Sequence, residues 1–154
     1  MQLTAEVSGR LGKAKSCQGL LYAPLEHALT YRKTQRYEFD FTGSEEALAA
    51  FIRKVLVDDV CQEVAFHGKP LFEDHRFHLD YGMKPSALDL EKETILNYHR
   101  EVGNDSMKIH SLRIFTRLYI FAPSGSPASP EPFIKDVVNP AIHVWNVSDV
   151  ESCA

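Results

Sequence analysis

Cysteine is scarce in this chain. Cys17, Cys61 and Cys153 are the only three among 154 residues, an odd number lying far apart and outside any CxxC spacing. The pattern argues against a disulfide framework and against a thiolate metal site, and it points to a reducing compartment. Long apolar runs are missing as well. No stretch approaches the roughly 18 consecutive apolar residues of a membrane span, and no apolar core follows N-terminal positive charge, so the cytoplasm is the expected location. Basic excess is absent: the formal net charge is -4, without long runs of one sign, which disfavours nucleic acid as a partner. The Gly-rich phosphate loop of an ATP site is not found. Neither Cys17 nor Cys61 stands on a tight strand-to-helix turn, where a glutaminase-type nucleophile belongs.

What is present is a 44% hydrophobic chain long enough to bury one ordinary core. Residues 1–8 alternate as a strand, and residues 9–24 lose periodicity and read as loop. Tyr37, Phe39 and Phe41 alternate with Arg36, Glu38 and Asp40, which predicts a half-buried strand from Thr30 to Phe41. Gly43 ends it. Ser44 with Glu45 and Glu46 is a helix start, and Leu48, Phe51, Ile52, Val55 and Leu56 form the apolar stripe. Val60 to Phe66 and Phe72 to Tyr81 alternate again as strands, the second carrying Asp74, Arg76, His78 and Asp80 on its polar side. Gly82 through Leu88 reads as a turn. Asp89 caps a helix striped by Ile95, Tyr98 and Val102 and closed by Gly103. Ile109 to Phe121 is long enough for two short strands bending near Thr116. A loop bearing Pro123, Pro127, Pro130 and Pro132 leads to a short helix over 133–138 and a last strand over 142–147.

A phrase occurs twice. Phe51-Ile52-Arg53-Lys54-Val55-Leu56-Val57-Asp58-Asp59-Val60 is echoed by Phe133-Ile134-Lys135-Asp136-Val137-Val138-Asn139-Pro140-Ala141-Ile142, each after an aromatic strand and before another strand. Internal repetition of this kind points to a pseudo-symmetric sheet. From Phe72 the expected order is β, α, β, β, α, β, a ferredoxin-like α+β fold with helices on one face of an antiparallel sheet. The expected organisation is a partial unit with an irregular N-terminal segment over 1–69, a complete unit over 70–147 and a tail over 148–154.

The run Tyr81-Gly82-Met83-Lys84-Pro85-Ser86-Ala87-Leu88-Asp89, the helix ending at Gly103, and the Val137-Val138-Asn139-Pro140-Ala141-Ile142 phrase resemble PurS-like domains of phosphoribosylformylglycinamidine synthase (FGAM synthase). Leu56-Val57-Asp58-Asp59-Val60-Cys61-Gln62-Glu63 is similar to a phrase of the fused forms, with Asp59 where a proline is usual. Ser86-Ala87 stand where the family commonly has Gly-Val. The resemblance covers about residues 30–147. It implies a cytoplasmic, non-catalytic domain or subunit that bridges the synthetase and glutaminase parts of an ATP- and glutamine-dependent ligase of purine biosynthesis. It further implies those two as partners and no cofactor of its own, while the exposed strand edges of the expected sheet predict pairing either with a second copy or with a synthetase subunit.

No catalytic, cofactor-binding or metal-ligating residue is assigned on this basis. The strongest rival site is His67, Asp74, His75, His78 and Asp80, a set whose imidazoles and carboxylates suit a metal-dependent enzyme. An alternating polar strand face is more simply the solvated or partner-facing side of a sheet. His99 reads as a surface residue, and His110 and His143 have no evident partner. Trp145 is expected in the core or at an interface, and Lys84 is expected in solvent or against a partner. A generic ferredoxin-like module binding a metabolite or a protein is the alternative reading, because one scaffold hosts many functions.

Overall fold

In a computed structural model describing residues 1–10, 12–22, 24, 28–66, 70–103 and 105–149, the chain forms one antiparallel sheet with three α-helices. The strands are β1 (Gln2–Gly9), β2 (Lys15–Ser16), β3 (Thr30–Gly43), β4 (Gln62–Phe66), β5 (Phe77–Met83), β6 (Met107–Phe121) and β7 (His143–Asp149). The helices are α1 (Glu45–Val55), α2 (Leu90–Val102) and α3 (Glu131–Val137), and a 3-10 turn covers Cys17–Gly19. Strand order is β4-β1-β3-β6-β5-β7, with β2 added to β3. The α+β class with an antiparallel sheet is therefore established.

Helix boundaries follow the capping chemistry. Ser44 accepts from the Ala47 amide at 3.1 Å and Asp89 from the Lys92 amide at 3.1 Å, each satisfying an N–H that the first helical turn leaves free. Gly43 precedes the first cap at φ 100, and a Cβ there would lie 2.4 Å from the Ser106 carbonyl oxygen. Only glycine fits that approach of β3 to the start of β6. Gly103 closes α2 at φ 66.

The sheet is built as two three-stranded halves. In the first, β1 lies between β4 and β3; in the second, β5 lies between β7 and β6. The long strands β3 and β6 join them, pairing along all 14 residues of β3 with one register shift beside Asp40 and Phe41. The halves correspond strand for strand. Leu3 opposite Phe39 matches Phe77 opposite Ile120, and Glu6 opposite Arg36 matches Asp80 opposite Arg117. In this register the pseudo-two-fold passes beside Gln35 and Thr116, which face each other and hydrogen bond through Gln35 Nε2 and Thr116 Oγ1 at 3.4 Å.

The core lies on one face of the sheet, in two clusters. Leu48 and Ile52 of α1 and Ile95 of α2 bury Leu3, Ala5, Tyr37, Phe39 and Leu112. Phe133 of α3, together with Cys17, Leu21 and Leu29, buries Phe77, Leu79, Leu118 and Ile120. Each half of the sheet is thus covered by the helix of its own second crossover and by the first crossover of the other half. Tyr37 of β3 donates to Glu91 of α2 at 3.0 Å, and the Tyr22 amide donates to Asp136 of α3 at 3.1 Å, so both exchanges are fixed by hydrogen bonds.

Several elements differ from their expected form. β6 is one strand, not two, because β3 supplies an unbroken partner, and its irregularity falls near His110 rather than Thr116. Gly82 and Met83 belong to β5, paired with Val144 and His143, and the turn begins at Lys84. Residues 72–76 are not strand: Asp74 has φ 62, which breaks the extension. Val60 is exposed in the turn before β4, where Asp58 accepts from its amide at 3.0 Å. On α2 the buried partner of Ile95 is His99, whereas Tyr98 and Val102 are exposed. β7 runs past residue 147 to Asp149.

Candidate functional site

Alternation places Glu6 and Ser8 of β1, Thr34 and Arg36 of β3, His78 and Asp80 of β5, and Arg117 and Tyr119 of β6 on the face away from the helices. Such a face is expected to be solvated, yet Glu6, Thr34, His78, Asp80, Arg117 and Tyr119 are all buried. Residues 70–76 account for part of this. The Leu71 amide donates to the Tyr119 hydroxyl at 3.1 Å, and the rings of Phe72 and His75 stand edge-on to Tyr119 at 5.0 and 4.9 Å. Arg32 lies over the Phe72 ring, 3.9 Å from its centroid, and holds the cover from above.

Arg117 is the centre of the cluster. Its Nε and Nη2 donate to the two oxygens of Asp80 at 2.6 and 2.8 Å, a bidentate pair, and its Nη1 donates to Glu6 Oε1 at 3.0 Å. Glu6 Oε2 accepts from the Tyr119 hydroxyl at 2.5 Å and from Thr34 Oγ1 at 3.0 Å. Arg36, the counterpart of Arg117 in the first half, donates to Asp80 at 3.3 Å and pairs with Glu38 at 3.3 Å. Among the described residues the Arg36 Nε has no hydrogen-bond partner. Burial alone would lower the pKa of Arg117, but hydrogen bonds to Asp80 and Tyr119 and the charges of Asp80 and Glu6 outweigh it and raise the value. Burial, then the bond to Glu6, lifts Tyr119 to about 12.

The histidines beside this network are fixed as neutral rings. His75 Nδ1 lies 2.9 Å from the Phe72 carbonyl, which can only accept, so that nitrogen carries the proton. His75 Nε2 then accepts, and His78 Nδ1, 3.1 Å away, must donate to it. Burial first and the nearby Arg117 charge second lower the pKa of His78 to about 4, and burial also lowers His75. A proton on either ring would meet the other imidazole and Arg117.

The residues of the expected metal set do not converge. His67 lies outside the described residues, Asp74 is off the strand, His75 and His78 bind each other, and Asp80 is occupied by Arg117. Among the described residues no three His, Cys, Asp or Glu side chains gather as a metal cluster. The view of this face as solvated is corrected: its carboxylates and guanidinium are hydrogen bonded to each other under a cover. His99 is likewise buried, edge-on to Phe51 at 5.5 Å and accepting from the Ile109 amide at 3.4 Å. His110 meets Thr42 Oγ1 at 3.0 Å and His143 accepts from the Asn139 amide at 3.0 Å. Asp89 is the helix cap. Trp145 is 43% exposed on the edge strand β7. Sequence reasoning missed Glu6, Arg36, Arg117 and Tyr119 as a set; the signal was an acid and an arginine at matching places in both copies.

The bonds of Arg117 to Glu6 and of Arg36 to Asp80 cross from one half of the sheet to the other, so the buried cluster is a clasp between the two halves. Beside it a hollow of about 250 Å³ opens to solvent, lined by Arg36, Glu38, Asp80, Arg113, Phe115 and Asn146 among others. No protein-family model matches the chain, and no curated protein does.

Arg117→Ala should lower unfolding stability by about 3–5 kcal/mol, because Glu6 and Asp80 would be left buried without their partner. Arg117→Lys should recover only part of this, since an ammonium cannot form the bidentate pair. Urea denaturation measures both; a loss below about 1 kcal/mol for the alanine variant would contradict the clasp. The histidines predict a pH dependence of definite sign. Their folded pKa values lie below the unfolded value of about 6.5, so the unfolded chain takes up protons first. Stability should be full above pH 6.5 and fall progressively toward pH 4. His78→Gln should flatten that slope in urea midpoints read across the range, leaving the contributions of His75 and of His99, whose pKa burial also lowers.

Proposed function

We propose that this chain is a PurS-like, non-catalytic part of FGAM synthase that holds the synthetase and glutaminase parts together. The observation that carries the reading is the duplication of the sheet: two halves with matching strand order and matching acid–arginine pairs, as the repeated phrase and the resemblance to tandem PurS-like units lead one to expect.

The finer ferredoxin-like assignment is part of the same proposal. If β6 is divided near Thr116, the order β7-β5-β6 is completed by the first part of β3, which gives the 4-1-3-2 order of a ferredoxin-like sheet. The first half is completed in the same way, as β4-β1-β3 with the first part of β6. Each unit would therefore take its second strand from the other, and the exchanged crossovers over the core agree with that. The first unit stays partial in this reading, because its first crossover contains, among the described residues, a 3-10 turn in place of an α-helix.

An assembly role fits the edges. β4 and β7 are the outer strands, and such edges offer unpaired backbone groups to a partner. Trp145 and Ile142 stand exposed at the β7 end. The carboxylates and guanidinium of the sheet centre are engaged in the clasp, which leaves surface contact as the means of action.

Co-expressed with the synthetase and glutaminase of an FGAM synthase, the chain should migrate with them in gel filtration. Alone, it should turn over neither ATP nor glutamine. Turnover that persists through further purification, or failure to bind either component, would contradict the reading.

A further inference from the structure

The pseudo-two-fold that relates the halves is broken at one place on the face away from the helices. In the β3–β6 register Arg32 stands opposite Tyr119, and the symmetry-related pair is Arg113 opposite Glu38. Thr34 opposite Arg117 and Arg36 opposite Phe115 lie between them, and alternation puts this whole row on one face. Over the first pair lies the segment 70–76. The Leu71 amide donates to the Tyr119 hydroxyl at 3.1 Å, and the Phe72 ring is held between Arg32, 3.9 Å from its centroid, and Tyr119, edge-on at 5.0 Å. Tyr119 is fully buried there.

Over the second pair no segment lies among the described residues. The residues before Leu3, which correspond to those before Phe77, stay in register with β3: Gln2 lies opposite Asp40, and the Met1 carbonyl accepts from the Phe41 amide at 2.9 Å. The side chains of Glu38 and Arg113 are accordingly 32% and 59% exposed. Two adjoining hollows of about 250 and 240 Å³ open over them, and Arg36, Glu38 and Arg113 line both.

The groups at this open place match those under the segment 70–76. Arg113 takes the place of Arg32; it lies 4.0 Å from Glu38 and 4.9 Å from the Phe115 ring centroid, so its guanidinium is positioned while most of it faces solvent. Glu38 takes the place of Tyr119 and is held by Arg36 at 3.3 Å. Its carboxylate has lone pairs for a further donor, as the Tyr119 hydroxyl has for Leu71. Phe115, half-buried, stands where the other half has Thr34 and gives the hollow an apolar floor.

We propose that this hollow receives an extended segment of a partner protein carrying an aromatic residue, bound as Leu71 and Phe72 are bound in the other half. The partner's ring stacks on the Arg113 guanidinium, and one of its backbone N–H groups donates to Glu38. The molecule itself supplies the template, because its own covering segment occupies the symmetry-related ground. The inference is independent of the assembly role: it requires only the broken symmetry and the groups it leaves open.

Titration of the full chain with an acetylated and amidated peptide of the sequence of residues 70–76, followed by NMR, tests this. Saturable shifts are expected at the amides of Glu38, Arg113, Phe115 and Asn146. Arg113→Ala should weaken binding about fivefold or more, the share of a partly desolvated guanidinium–aromatic contact, and Phe72→Ala in the peptide should weaken it to a similar degree. Lys54→Gln on α1 should leave binding unchanged, and unchanged urea midpoints should show both protein variants folded. Absence of saturable shifts, or shifts confined to Arg32 and Tyr119 through exchange with the resident segment, would overturn the proposal. So would equal binding of phenylalanine amide, which would mark a small-molecule site, or dimerisation that Arg113→Ala abolishes, which would make a second copy the occupant.

Discussion

A guanidinium with 4% of its residue surface exposed must have its charge answered inside the protein, and the geometry around Arg117 follows from that requirement. Asp80 comes from the second half of the sheet and Glu6 from the first. Neither half alone supplies the full set of acceptors. The register of β3 against β6 must therefore bring Glu6 within reach, since a slip by one residue would turn every side chain of a strand to the other face. The segment over 70–76 closes the cluster from solvent, and Tyr119 and the neutral histidine pair complete its hydrogen bonding.

This arrangement divides labour between the faces of the sheet. The helix face provides apolar burial in two clusters, each assembled from both halves, which is nonspecific in direction but large in amount. The opposite face provides directional bonds that select one pairing of the halves. A repeated unit gains from this, because similar strands offer alternative pairings and directional contacts distinguish among them. The proposed assembly role needs such a body: one whose parts do not shift when its outer strands are engaged.

Much of the architecture was legible in the residues. Tyr37, Phe39 and Phe41 alternate as a half-buried strand must, and Ser44, Asp89 and Gly103 mark helix ends by chemistry that acts locally. The clasp was not legible, because alternating His78 and Asp80 look the same whether water or Arg117 answers their charge. Nor was the covering segment, since only the left-handed Asp74 shows that the chain leaves the strand. His99 was hidden by the same ambiguity: a polar ring on a helix reads as exposed until its neighbour Phe51 is known. The repeated phrase aligns Phe51 with Phe133, but Phe51 is only partly buried, and it is its neighbour Ile52 that is fully buried as Phe133 is. In the sheet, likewise, Phe66 opposite Ala5 matches Val147 opposite Leu79, so the structural repeat is one residue out of step with the phrase.

The central claim is that the buried charge cluster makes the two halves a single cooperative unit. Native-state hydrogen exchange tests it most directly, by comparing amides of β1 in the first half with those of β5 in the second. The account predicts that both exchange through one global opening of equal free energy, with the same dependence on denaturant. Opening of either half at a free energy lower by several kcal/mol, while the other stays protected, would contradict it.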